Sequence, residues 1–344
     1  MLLNLIIASL LSLLNGNSSC EIVFAGDAMM HQGQIDAARQ SDGTYDFSDY
    51  FRAISDYVEE ADYAVVNLET PTSTKPYSGY PCFNAPSQYV DALLNAGFDL
   101  FLTANNHTLD RRDKGLCNTI DTLDSRRADH IGTYKSDSCR QNEMPFIRDI
   151  NGMKIGFINY TYGTNGIVPG RDVVVDYIDR AKMADDVEKA RQKGAEFIFA
   201  CIHWGNEYQL LPHSSQKQLA KYLTEIGVDA IIGGHPHVIQ PMELNDGKLI
   251  VYSLGNFISN MRTRDTRGGA LVKVRLQRND QGKIEIDNAS YRLVYTEPAV
   301  AGRQNFRLVW ADDSSDPRAK AFASSARAIF NKHNINVDEQ LPIQ

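Results

Sequence analysis

The chain has 344 residues, 43% hydrophobic and 23% charged, with a formal net charge of −8. That length can bury a large core, and that composition excludes a disordered or fibrous chain. The acidic balance argues against a nucleic-acid partner.

Residues 1–14 (MLLNLIIASLLSLL) are apolar apart from Asn4 and two serines. The stretch is short for a membrane span and suits the apolar region of a secretory signal, although no Lys or Arg precedes it. Residues 1–20 are therefore read as an export signal. Cys20, preceded by Ser18 and Ser19, stands where a lipoprotein carries its lipidated cysteine. A membrane-anchored lipoprotein is favoured over free secretion into the periplasm or medium. Against it, the first strand starts at Glu21 and leaves no tether, in which case Cys20 simply begins that strand. Cys82, Cys117, Cys139 and Cys201 show no Cys-x-x-Cys spacing, which speaks against a thiolate metal site. An oxidising compartment permits a disulfide, whereas Cys201 lies in a strand-like run and reads as a buried thiol.

Strand-like runs fall at 22–25, 63–67, 100–104, 155–160, 197–202 and 230–232. Helical patterns fall between them at 47–59, 88–96, 115–126, 181–193 and 214–226. This alternation predicts a layered α/β fold. Asn151-Gly152 and Asp246-Gly247, each between apolar runs, predict two-residue hairpins, so the sheets are mixed. Residues 270–277 and 283–295 form a third strand pair around Asn279-Asp280-Gln281-Gly282. Residues 316–334 read as a closing amphipathic helix. There is no internal repeat, low-complexity segment or linker.

Ligands in open α/β sheets collect at the carboxyl ends of strands. Those ends carry Gly26-Asp27, Asn67-Leu68-Glu69, Asn105-Asn106-His107, His203-Trp204 and Gly233-Gly234-His235-Pro236-His237. Singly, each has an ordinary explanation: a helix cap, a turn residue, a solvated acid or a packing histidine. Jointly, a His/Asp/Glu/Asn set suits Mn, Fe or Zn better than a thiolate site does.

These segments resemble the bacterial CapA capsule-synthesis family, also called the poly-γ-glutamate synthesis protein family, which is related to calcineurin-like metallophosphoesterases. The motifs are Gly26-Asp27-x-Met29, Asn67-Leu68-Glu69, Ala104-Asn105-Asn106-His107-x-x-Asp110, His203-Trp204-Gly205-x-Glu207, Gly234-His235-Pro236-His237 and Ser253-Leu254-Gly255-Asn256-Phe257. The resemblance covers residues 21–300 and implies a four-layer α/β/β/α sandwich of metallophosphoesterase type, with residues 301–344 as an extension whose helix completes the domain. It implies one or two divalent ions. Glu69 would bridge them, Asp27 and His237 would hold one, and Asn106, His203 and His235 the other. His107 would serve the leaving group or the transferring phosphate, with Asp110 as its partner.

Two departures stand out. Phosphoesterases have Asp-x-His where this chain has Asp27-Ala28-Met29, a loss the CapA family shares, and His31 is a distant substitute. The family usually has glycine two residues after Asp110, where this chain has Arg112. Glu207, Asn256, Arg262, Arg264 and Arg267 are candidate substrate contacts, the arginines as forks for carboxylate or phosphate. Trp204, Tyr208, Tyr160 and Tyr162 are candidates for lining the groove. The implied role is an exported enzyme handling an anionic cell-surface polymer or its precursor alongside membrane capsule-synthesis machinery, by phosphoester or amide chemistry. The alternatives are a non-catalytic polymer-binding assembly subunit and a general metallophosphoesterase.

Overall fold

The computed structural model describes residues 19–302 and 304–340; the apolar stretch 1–14 lies outside them. Two mixed sheets face each other. In spatial order the first runs Arg307–Trp310, Ile284–Glu297, Gly268–Arg278, Ser19–Ala28, Tyr63–Leu68, Leu100–Leu102 and Asp129–Ile131, with Asn256–Ile258 and Asp338–Glu339 pairing off this path. The second runs Ile239–Asn245, Lys248–Leu254, Ala230–Gly234, Phe197–His203, Met153–Thr161 and Phe146–Ile150. Four strands from Ser19–Ala28 to Asp129–Ile131 are parallel in the first, and four from Met153–Thr161 to Lys248–Leu254 in the second.

Side-chain alternation sets the layers. Ile22 and Phe24 join the core shared with the second sheet, whereas Val23 and Ala25 join the cluster under the outer helices. Tyr63 and Val65 alternate with Ala64 and Val66 in the same way. Phe24 meets Phe199 across the interface with ring centroids 4.8 Å apart. Helices Gln32–Ala38, Ser55–Glu59 and Gln88–Asn95 cover the first sheet through Ile35, Val58 and Leu93. Helices Arg180–Gln192 and Ser214–Glu225 cover the second through Met183, Val187, Leu219 and Leu223. The result is an α/β/β/α sandwich. Helix Pro317–His333, capped by Asp316, packs on Ile239–Asn245 of one sheet and Ile284–Glu297 of the other.

Both two-residue hairpins form as expected. Asn151 and Gly152 have φ 52° and 78°, and Asp246 and Gly247 have 49° and 71°, the paired positive values such turns require. The expected helix over 47–59 shrinks to Ser55–Glu59. Phe47, Tyr50, Phe51 and Ile54 are buried at helical spacing, but Tyr50 N–H bonds Phe47 O and Ile54 N–H bonds Phe51 O. Those i to i+3 bonds make tight turns, which show the core the same apolar face.

Cys20 lies within the first strand, 1% exposed, with Sγ 3.8 Å from Met153 Sδ. A lipid-bearing Cys20 would have to leave this position. All five cysteines are free thiols, and Cys201 is buried as expected. No helix among the described residues is long and apolar enough to cross a membrane.

Candidate metal centre

The parallel strands of both sheets deliver their carboxyl ends to one place. Gly26 allows it: a Cβ there would lie 2.0 Å from Gly255 O. The next residue's N–H donates to that same oxygen (3.0 Å), so Asp27 turns inward. Fully buried, its carboxylate accepts Asn67 Nδ2 (2.8 Å) and His235 N–H (3.2 Å) and lies 3.3 Å from His237 Nδ1. Burial opposes its charge, but the His237 hydrogen bond and the neighbouring imidazoles hold it below the ordinary carboxylate range.

Glu69 has the opposite environment. It is fully buried and neither carboxylate oxygen has a hydrogen-bond partner. His203 Nε2 and His237 Nε2 stand 3.6 and 3.8 Å from Oε1, beyond hydrogen-bond length. Burial first, then the Asp27 charge, pushes its pKa well above the usual range. An orphaned buried acid ringed by imidazoles is the strongest sign that this site is built for a cation.

The histidines arrive on strained backbone. His235 and His237 have φ 97° and 56°, which non-glycine residues rarely adopt. Tyr208 N–H fastens the loop by donating to Pro236 O (2.8 Å). His203 Nε2 lies 2.8 Å from Asn106 Oδ1, and His235 Nδ1 has no partner. Burial, reinforced by neighbouring imidazoles, lowers His203 far below its ordinary pKa and His235 to about 3. Both rings are neutral at physiological pH, as metal ligands must be.

Two donor groups result: Glu69, His235 and His237, and Asp27, Glu69 and His203. Within each, the ligand atoms lie within 4.8 Å of one another. Glu69 belongs to both, the position expected of a bridging carboxylate. Asp27 lies against His237 and Asn106 against His203, the pairs the resemblance implies. The groups also cross it, joining His235 to His237 and His203 to Asp27. Residues and chemistry therefore fit one or two divalent ions.

His107 and Asp110 form a buried pair at one side. Asp110 Oδ2 lies 2.8 Å from His107 Nδ1 and also accepts Phe83 N–H (2.8 Å). The carboxylate can only accept, so it fixes the proton on Nδ1 and leaves Nε2 free. Arg112 takes φ 57°, a left-handed backbone that glycine adopts freely. Met29, where the phosphoesterases carry a histidine, is buried. His31 caps helix Gln32–Ala38, its Nδ1 accepting Asn260 N–H (3.2 Å), and it stays outside both groups.

The candidate substrate contacts divide. Glu207 is exposed and lies near enough to raise Glu69 further. Asn256 is fully buried and touches His237 Nδ1 (3.0 Å) and Thr266 O (2.9 Å), so it positions that imidazole and cannot meet substrate. Arg264 is engaged by Asp265 (2.7 Å), Arg267 is half-buried, and Arg262 is exposed without an ion pair among the described residues. Tyr160 is buried against Asp186, away from any groove, and Trp204 is buried with Nε1 donating to Tyr252 O (2.8 Å). Tyr162 and Tyr208 do form the rim, 47% and 55% exposed, with rings 4.5 Å from His235 and 6.3 Å from His237. Sequence reading gave no role to Asn67, whose amide touches Asp27 and stands 3.3 Å from His203 Nδ1. Its place between two ligand-bearing strands was the available signal.

The bacterial capsule synthesis protein PGA_cap family matches residues 21–261. The chain belongs to that family. Over 278 residues it is 28% identical to the PGA biosynthesis protein CapA of Bacillus subtilis, covering 76% of this chain and 69% of that protein. The capsule biosynthesis protein CapA of Bacillus anthracis is 28% identical over 287 residues, 78% of this chain and 67% of that one. A probable polyglutamine synthesis accessory protein of Mycobacterium tuberculosis is 23% identical over 217 residues, 58% of this chain and 56% of that one. Among solved structures, a Haemophilus influenzae NAD nucleotidase has a TM-score of 0.49 at 13% identity, over 94% of this chain and 64% of that one. That likeness is too slight to carry chemistry. This PGA_cap member thus shares its family with capsule-synthesis proteins and presents a buried cluster of candidate metal ligands.

Proposed function

We propose that this PGA_cap protein is an exported, metal-dependent hydrolase or transferase acting on an anionic cell-surface polymer such as poly-γ-glutamate, or on its precursor. The observation that carries the reading is Glu69, buried with both oxygens unpartnered and shared by two groups of donors. Asp27, Glu69, Asn106, His203, His235 and His237 would hold Mn, Fe or Zn, and membrane capsule-synthesis machinery is the proposed working partner. The bound ion supplies Lewis acidity to a carbonyl or phosphoryl oxygen. His107, its tautomer set by Asp110, holds Nε2 free to take up a proton and return it to the leaving group. Tyr162 and Tyr208 wall the entrance. The apolar stretch 1–14 supports export, and the burial of Cys20 supports release over lipid anchoring.

The test is to incubate the full chain, loaded with each metal in turn, with poly-γ-glutamate and with a simple phosphate ester. Polymer shortening or phosphate release that is lost in a folded His107→Ala variant is the expected result. Neither reaction with any of the three metals overturns the catalytic reading. It leaves the non-catalytic assembly role, which Met29 in place of the phosphoesterase histidine favours.

A further inference from the structure

Beside the metal centre lies a second cavity, a cleft of about 460 Å³ lined among others by Tyr162, Ile178, Arg180, Trp204, Gln218 and Leu219. It meets the centre through Tyr162, one of its walls, whose ring packs 4.5 Å from that of His235. Arg180 is the only charged side chain among the described residues lining it.

That arginine is held but not neutralised. Its guanidinium carbon lies 4.9 Å from the centre of the Tyr222 ring, and Tyr222 Oη donates to Arg180 O (2.7 Å). It forms no ion pair among the described residues, whereas Arg140, Arg191 and Arg327 each hold carboxylates. Stacking leaves the in-plane N–H fork open toward an oxyanion. One fork in a neutral, partly apolar wall matches one carboxylate, that of a single residue of the polymer.

We propose that this cleft is the subsite for a carboxylate-bearing residue of the polymer next to the reacting bond, with Arg180 as its counter-ion. The proposal rests on the polymer reading above and moves the anion grip away from the segment 262–267. It makes Arg180 a specificity residue, and Tyr162 the wall between subsite and metal centre.

The test measures binding of a γ-linked glutamate oligomer and of the same γ-linked oligomer with its free α-carboxylates amidated (an isoglutamine oligomer) to the metal-loaded full chain. The wild type should prefer the glutamate oligomer about tenfold, equivalent to about 1.4 kcal/mol. Arg180→Gln should remove that preference without changing isoglutamine-oligomer affinity, metal content or melting temperature. Gln218→Glu, which offers Arg180 an internal acid, should do the same. An undiminished preference in both variants overturns the subsite and leaves the polymer reading standing. Failure of the wild type to bind either oligomer overturns the polymer reading and the subsite with it. Polyphosphate binding more tightly than the glutamate oligomer, in an Arg180-dependent way, overturns the carboxylate assignment.

Discussion

The Asp27 carboxylate accepts the backbone N–H of His235 at 3.2 Å, joining positions 208 residues apart in the chain. Asp27 ends a strand of the first sheet and His235 follows a strand of the second. Asn67 repeats the link, its amide touching Asp27 and approaching His203. The candidate metal centre is thus also where the two halves of the sandwich are tied at one edge, so metal binding and local stability are coupled.

Glu69 is the costliest residue of that tie in the metal-free protein. Glu69→Gln keeps the shape and removes a buried acid that has no partner. Because burial raises the Glu69 pKa in the folded chain, removing the ionisable group should make the metal-free variant more stable than wild type near neutral pH. It should also lose metal affinity. Denaturant unfolding with chelator, paired with metal titration, checks both; lower metal-free stability contradicts the account.

Asn256 acts through His237. With Nδ2 fixed on Thr266 O, its Oδ1 shares the ring's Nδ1 proton with Asp27 and leaves Nε2 free on the Glu69 side. Asn256→Ala should weaken metal binding about 10- to 100-fold, as loss of a ligand-orienting partner does. Calorimetric titration with Zn or Mn measures it. Equal affinity in the two proteins removes the positioning role.

Acid should destabilise the metal-free chain in a definite window. Burial lowers His31 to about 4, His235 to about 3 and His203 far below its ordinary value, so all three stay neutral when folded. Unfolded, each takes a proton near its ordinary value of 6.5. Glu69 has the opposite sign, because its raised pKa keeps a proton on the folded side. Burial raises Asp99 and Glu143 in the same sense but less, so the three imidazoles outweigh the carboxyls, the unfolded state binds more protons and stability falls as pH drops from about 6.5 to about 5. Urea melts at the two pH values measure this; a higher midpoint at the acid end is the contrary result.

Much of this was legible in the residues. Buried strands read as short apolar runs, and the polar residues ending them fall at one edge, so Asp27, Glu69, Asn106, His203, His235 and His237 were identifiable together. Asn151-Gly152 and Asp246-Gly247 fixed their hairpins because their backbone needs are local. Non-local facts were not legible. Residues 47–54 show a helical apolar pattern, which serves a chain of tight turns equally well. Asn256 looked like a substrate contact until its parallel pairing with Asp27 placed it behind His237. The three arginines at 262–267 drew attention by proximity in sequence, whereas Arg180 reaches the metal centre's neighbourhood only through the cleft it shares with Tyr162.

The buried cluster around Glu69 is proposed to hold a metal ion. The direct measurement is the metal content of the purified full chain after refilling with Mn, Fe or Zn, beside folded His203→Ala and His235→Ala variants. The prediction is about one to two equivalents in the wild type and a clear loss in each variant. Less than about a tenth of an equivalent in the wild type with all three metals would contradict it.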